Sequence, residues 1–324
     1  MLSLLNLLCG IGLFLSGMSL MSESTVLAFG EKLKSILARM TKTKLSATLT
    51  GTAVTGIVQS STAVTVMTVG FVESQLMNIH QATGIVLGAN IGTTVTNLMI
   101  AFNFSDLAPL SIFIGAAMML LASKDRTKHI GKILLGFGML FLGLNTMSGA
   151  FAHLKENEAF LSLIVSNQGK LTGIIVGIVM TAIIQSSSAT VGILQALCAQ
   201  GLVGTESAIY IILGQNIGTV FTSMLSATGK SRSAKQVGMI HLVFNVAGSL
   251  IFIAVCELFP VSALLDKVSD PSMRVSLFHV FFNIITVIML FPAYEWMIRV
   301  SERLIGLRIV KTPSIIKIKR KKAR

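Results

Sequence analysis

"GIVQSSTAVT", residues 56–65, sets a glutamine and three hydroxyl side chains side by side in a stretch otherwise apolar enough for lipid. "AIIQSSSATV", residues 182–191, does it again. Unpaired polar groups are costly in hydrocarbon, so two such clusters ask for a purpose. The answer depends on what surrounds them.

The surroundings are those of a membrane protein. Of 324 residues, 53% are hydrophobic and 12% charged, with a mean hydropathy of +0.81; soluble domains carry about 25% charged residues. A helical crossing takes about 20 apolar residues, and the pattern predicts seven of them, at 2–22, 81–103, 107–123, 130–152, 206–228, 235–257 and 275–298. The first lacks the basic leader of a signal peptide and is expected to stay as a helix. Cys9, Cys198 and Cys256 lie in apolar stretches without metal-like spacing, and the five histidines show no paired-ligand pattern, so no metal centre or cofactor is expected.

The net charge of +13 does not indicate nucleic acid. Five of the 26 Lys/Arg fall in 31–44, four in 124–132, three in 230–235 and ten from Arg299 onward. With seven crossings these segments share one side, which the positive-inside rule makes cytoplasmic. The expected location is the cytoplasmic (inner or plasma) membrane, N-terminus outside and C-terminus inside. The tail "KIKRKKAR" is solvated and close to lipid headgroups. "SATGKSRS" at 226–233 imitates a phosphate loop, but Met224 stands where that loop needs its first glycine.

A shift of 126 residues superposes the two clusters. "GANIGTTVT" (88–96) then falls on "GQNIGTVFT" (214–222), and residues 51–99 match 177–225 at 17 of 49 positions without a gap. Gly10, Gly12, Gly17 and Met21 meet Gly136, Gly138, Gly143 and Met147, and Lys44-Leu45 meets Lys170-Leu171. The chain is a duplication. Counting the first helix itself, three crossings precede its copy, so the copy enters from the opposite face, the inverted-repeat arrangement of secondary transporters.

Segments 45–73 and 171–200 fit re-entrant hairpins. Each arm is too short for a ~30 Å core at 1.5 Å per residue, which leaves the QSS clusters at the tips. Serines of 60–62 and 186–188 would cap the returning arm, whose free N–H groups favour an anion. Carbonyls ending the first arm, with hydroxyl and amide oxygens, suit a hard cation. Gln59 and Gln185 both donate and accept. Each Asn-Ile-Gly-Thr is expected to break its helix, eased by Gly92 and Gly218, with Asn90, Thr93, Asn216 and Thr219 facing the tips.

Small polar clusters often serve only helix packing, and Gly10, Gly12, Gly136 and Gly138 are read that way. Four polar breaks paired across a duplication, each with an amide, argue for a binding site. No charged residue lies in a tip or break, and the nearest acids, Glu73 and Glu206, sit at segment ends. A proton relay uses an ionisable group at depth, so sodium coupling is favoured, with an anion as cargo. His241/Asn245 and His279/Asn283 repeat an i, i+4 pair and are read as interhelical hydrogen bonds rather than ligand contacts. An intramembrane serine enzyme using one of these histidines is the distant alternative, and duplicating its nucleophile would be without purpose.

Paired QSS[ST] motifs, each followed by NIGT within a duplication, resemble the type II sodium/phosphate cotransporters over roughly residues 10–300. The resemblance implies a phosphate site at Gln59, Ser60, Ser61, Thr62, Gln185, Ser186, Ser187 and Ser188. It implies sodium, as coupling ion, at Gln59, Ser60, Asn90, Thr93, Gln185, Asn216 and Thr219. Arsenate, sulfate or a small carboxylate remain alternative anions. It also implies a homodimer that no residue here requires. The first motif departs from QSSS with Thr62, and the chain ends in a basic tail where many bacterial relatives carry a helical regulatory domain, so regulation by such a domain is not expected.

The fold expected is an all-α polytopic membrane protein. Residues 1–126 form the first inverted repeat (hairpin 45–73) and 127–258 the second (hairpin 171–200). An extra transmembrane helix without counterpart follows in 259–304, and a cytoplasmic tail in 305–324.

Overall fold

The computed structural model describes residues 2–158, 160, 162 and 169–306, which hold helices and no strand; the expected tail lies almost wholly outside them. Among the described residues six helical spans are long and apolar enough to cross a membrane, one of them the run Thr205–Ala227 that is interrupted only at Thr219, and large apolar side chains such as Phe113, Leu121, Ile183 and Leu258 lie exposed on the outer surface. Only lipid makes that arrangement favourable. The protein is an integral membrane protein.

The first helix, α1 (Leu2–Arg39), runs 38 residues, well past the expected 2–22. The basic cluster beginning at 31 is therefore mostly helix rather than loop. It packs against α6 (Asp125–Leu154) through glycines. A Cβ on Gly10 would lie 3.0 Å from the Gly143 carbonyl oxygen, and one on Gly17 2.6 Å from that of Gly136. The low position on one helix meets the high position on the other, so the two run antiparallel. Gly10 and Gly136 are 126 apart, as are Gly17 and Gly143, and so are Phe14 and Leu140, whose backbone nitrogens lie 2.4 and 2.5 Å from the Cβ positions of Gly143 and Gly17. Equivalent helices thus cross in a self-complementary contact. Gly138 likewise admits Ala108, whereas Gly12 meets nothing within 4 Å, so its expected packing role is not found.

The hairpin arms repeat to the residue. The first pair is α2 (Lys44–Val58) and α3 (Ser61–Glu73); the second is α7 (Lys170–Ile184) and α8 (Ser187–Ala199). Each first arm lies on the helix that follows its hairpin: α2 on α4 (Ile79–Ala101), α7 on α9 (Thr205–Gly218). The spacing is close enough that a Cβ on Gly88 would stand 1.9 Å from the Thr48 oxygen, and one on Gly214 2.0 Å from that of Ile174.

The Asn-Ile-Gly-Thr segments correct the expectation of two broken helices. α4 continues unbroken, because Asn90 Nδ2 and Thr93 Oγ1 donate one turn back to the Val86 and Ala89 carbonyls at 2.9 Å each. Gly92 serves close approach instead, its Cβ position 2.6 Å from the Thr52 oxygen. In the second copy only Thr219 separates α9 from α10 (Val220–Ala227). There Asn245 Nδ2 donates to the Asn216 carbonyl at 2.7 Å.

Two further differences concern length. Segment 107–123 is α5 (Ala108–Leu121), only 14 residues after a 3₁₀ turn at Ser105–Leu107, and it is not among the six long spans. It still lies along α6, with Gly115 against Gly131, from the level of Asn145, which accepts from Ser105 at 3.0 Å, back to the start of α6. Segment 275–298 is two helices, α13 (Pro271–Leu290) and α14 (Tyr294–Leu304). Pro292 lies between them, lacking the N–H that continuation requires.

α11 (Arg232–Leu258) is a ruler for the hairpins, followed by the short α12 (Val261–Leu265). At its start, Ser231 N–H donates to Glu73 at 2.9 Å and Gln236 Nε2 to Ser301 Oγ at 3.1 Å. Lys44 joins this end through Glu295 at 2.7 Å. At its other end Glu257 holds Lys170 at 2.7 Å, and Thr205 donates to Asp266 at 2.6 Å. The first hairpin therefore begins and ends at one end of α11, the second at the other.

α13 and α14 also have a spatial counterpart that the 126-residue shift does not reveal. His241 bonds Ser223 at 2.9 Å and His279 bonds Asn97 at 2.7 Å, and positions 97 and 223 are 126 apart. Lys44 and Lys170, equally spaced, hold Glu295 and Glu257. α11 and the α13–α14 pair therefore clasp the two halves at equivalent points.

Candidate functional site

Each hairpin turns in two residues. Gln59 (φ 62°, ψ 20°) and Gln185 (φ 57°, ψ 22°) are left-handed and end the first arms; Ser60 and Ser186 are extended and start the second. A non-glycine residue at positive φ carries steric strain, and here it recurs at both copies. Ser60 Oγ accepts from Ala63 N–H at 3.1 Å and Ser186 Oγ from Ala189 N–H at 3.3 Å. These are N-caps as expected. Each returning arm thus aims the positive end of its helix dipole at the tip.

The two tips open on one cavity of about 450 Å³, lined by Gln59, Ser60, Thr62 and Ala63 of one hairpin and Ile184, Gln185, Ser186 and Ala189 of the other. Leu15, Met18, Ser19, Ser22 and Glu23 of α1 form the remaining wall. Residues 126 apart thereby share one space. Gln59 Oε1 is buried without a hydrogen-bond partner, as are Thr55 Oγ1 and Thr65 Oγ1 on the same hairpin. Such oxygens can serve an ion.

Other expected residues lie away from the lining. Ser61, Ser187 and Ser188 are buried in the first turns of the returning arms. Asn90 and Thr93 bond their own helix, and Thr219 Oγ1 donates to the Gln215 carbonyl at 3.0 Å. Asn216 has a buried Nδ2 without a partner. The structure brings Gln59, Ser60, Thr62, Gln185 and Ser186 together and sets Asn90, Thr93, Asn216 and Thr219 on the helices behind them.

Three contributions escaped the sequence reading. Glu23 lines the cavity, so an acid does border the tips; the expected nearest acids, Glu73 and Glu206, are occupied with Ser231 and Lys170 at the ends of the molecule. The run "MSLMSES" (18–24) carried that signal, polar at 19, 22 and 23 on one face of an apolar helix. Gln215, paired by the 126-residue shift with Ala89, donates to the Ser187 carbonyl at 3.0 Å and fixes the second tip. Ser19 hydrogen-bonds Glu23 at 2.6 Å. The expected interhelical role of the His/Asn pairs holds for His241, Asn245 and His279, while Asn283 donates to its own helix at the His279 carbonyl. Neither histidine bonds a tip serine. Among the described residues no group of metal-ligating side chains occurs.

A family model described as "Na+/Pi-cotransporter" matches residues 13–149 and 151–310. The chain belongs to the Na+/Pi-cotransporter family. Over 309 residues it is 30% identical to "Uncharacterized protein YqeW" of Bacillus subtilis, covering 94% of this chain and 99% of that one. It is 31% identical over 307 residues to the Salmonella typhimurium protein named "Putative inorganic phosphate export protein YjbB", covering 94% of this chain but 56% of that relative. It is 36% identical over 92 residues to "Sodium-dependent phosphate transport protein 2A" of Ovis aries, covering 27% of this chain and 14% of the relative. No solved structure matches the chain.

Proposed function

We propose that the protein is a secondary transporter that moves inorganic phosphate across the cytoplasmic membrane coupled to sodium, binding both between the two QSS tips. The observation that carries this reading is the single cavity shared by Gln59–Thr62 and Gln185–Ser186. Two capped helix N-termini offer N–H groups and partial positive charge to the anion. The oxygens of Gln59, Ser60 and Gln185 offer ligands to sodium, with Asn90, Thr93, Asn216 and Thr219 supporting them from behind.

In this reading both hairpins are re-entrant and the repeats have inverted topology. Support comes from the antiparallel crossing of α1 with its own copy and from hairpin bases at opposite ends of α11. Alternating access follows when the tips exchange exposure between the two ends. Basic residues at the Lys44 end make it cytoplasmic and the N-terminus external. A homodimer, implied by the resemblance, belongs to the same proposal and is checked by cross-linking in the membrane.

The test is uptake of radiolabelled phosphate into proteoliposomes under an inward sodium gradient against an equal potassium gradient. The expected result is accumulation above equilibrium with sodium alone, abolished in Gln59→Ala and Gln185→Ala. Normal uptake by both variants overturns the site. Competition by arsenate, sulfate and small carboxylates ranks the anions. Phosphate export, the activity in the name of the Salmonella relative, is a second reading, tested by loading the vesicles and reversing the gradient.

A further inference from the structure

Glu23 is the one charged residue on the cavity wall. Among the described residues no lysine, arginine or histidine comes within ion-pairing distance of it, although every other acid near a hairpin base has a partner. Among the described residues its one hydrogen bond comes from Ser19, and Ser22 lies on the same wall.

The duplication shows that the carboxylate is not required to build the wall. The counterparts of Met18, Ser19, Ser22 and Glu23 are Leu144, Asn145, Ser148 and Gly149. Leu144, Asn145 and Ser148 line a smaller cavity, of about 140 Å³, toward the other end of α6. Asp270, just before α13, also borders that smaller cavity, so the polar face is kept on both helices while α1 alone carries a carboxylate of its own there.

Glu23 is exposed to the open cavity, where a fixed carboxylate and an incoming anion repel each other. No basic side chain lines the space to offset it. We propose that Glu23, with Ser19 and Ser22, binds a small monovalent cation, sodium or a proton, that accompanies the anion. The idea rests on the reading of the tips as an anion site, and its test leaves phosphate out. On α6, which packs along α1, the titratable groups are Asp125, Arg126, Lys128, His129, Lys132 and His153. On the hairpin arms they are Lys44, Glu73, Lys170 and Cys198. None of them lines the cavity.

The experiment is thermal unfolding of the full chain in detergent and phosphate-free buffer. Sodium chloride is titrated against choline chloride at equal ionic strength, between pH 5 and 8. A cation that binds the folded state raises Tm with its concentration. Wild type, Glu23→Asp and Ser148→Ala should show a saturable sodium-dependent rise. Glu23→Gln, with its Tm in choline as the check on folding, should need at least tenfold more sodium. A Tm that instead follows pH in wild type and is flat in Glu23→Gln assigns the site to the proton. Sodium and pH responses unchanged in Glu23→Gln overturn the proposal. Loss of phosphate uptake in wild type with these shifts intact would instead count against the phosphate reading alone.

Discussion

At the two tips a glutamine occupies backbone space that suits glycine. The left-handed conformation costs an L-residue about 1–2 kcal/mol, so Gln59→Gly and Gln185→Gly should be at least as stable as wild type. Transport should nevertheless fall at least tenfold, because the amide that faces the cavity is gone. Thermal melts beside uptake assays separate the two effects; full transport in either glycine variant would show that the turn alone matters. A second residue, His279, is bonded to Asn97 in a buried contact. His279→Ala should cost about 1–3 kcal/mol by stranding the Asn97 amide, measured as a drop in unfolding midpoint with phosphate affinity little changed. Outside the long apolar helices, Glu295 is partly buried, which acts to raise its pKa. Hydrogen bonds and charge from Lys44 and His80 outweigh this and hold it below its ordinary value. A depressed carboxyl stabilises above its unfolded pKa and loses that contribution as pH falls through the folded one. Lys44→Met should therefore reduce the difference in stability between pH 7 and pH 3. The whole effect stays under about 1 kcal/mol, since the pair is half exposed.

Among the helices, close approach governs what can change. Gly88→Ala sets a methyl carbon 1.9 Å from a backbone oxygen, and prying α2 from α4 should cost about 1–3 kcal/mol. Gly12→Ala meets open space and should be neutral or stabilising by about 0.5–1 kcal/mol; a reversed order in thermal melts would refute the packing described. The contrast also shows what the sequence could carry. The helical arms on either side of each glutamine and the Ser60 and Ser186 caps were legible because each is local: a glutamine, a serine and an apolar run at fixed spacing. The intact α4 was not, since Asn90 and Thr93 bend back onto their own carbonyls, while in the second copy Asn245, some thirty residues away in sequence, donates to the carbonyl of Asn216. Glu23 was missed for the same reason. It lies 36 residues before Gln59 on a helix without polar clusters like those of the tips, and only the packing of α1 against both hairpins brings it to the cavity.

Across the whole molecule the proposed opposite entry of the hairpins can be checked directly. With Cys9, Cys198 and Cys256 replaced by alanine, Ser74→Cys and its counterpart Gln200→Cys should be labelled by a membrane-impermeant maleimide from opposite faces of right-side-out vesicles. Labelling of both from one face would exclude inverted repeats. The basic end carries Lys44, Glu73 and Glu295 and the other carries Lys170, Glu206 and Glu257, so each face holds its own ion-paired clasp on a hairpin base. The crossing of α1 with α6 has one more implication. Gly10 meets Gly143, Gly17 meets Gly136, and Phe14 backs onto Gly143 as Leu140 does onto Gly17, so each half presents a surface that fits its own duplicate. Two separate polypeptides, each encoding one half, should find one another in a bilayer by that seam. The single chain makes the pairing permanent, with a carboxylate at Glu23 on one side and a glycine at the equivalent Gly149 on the other.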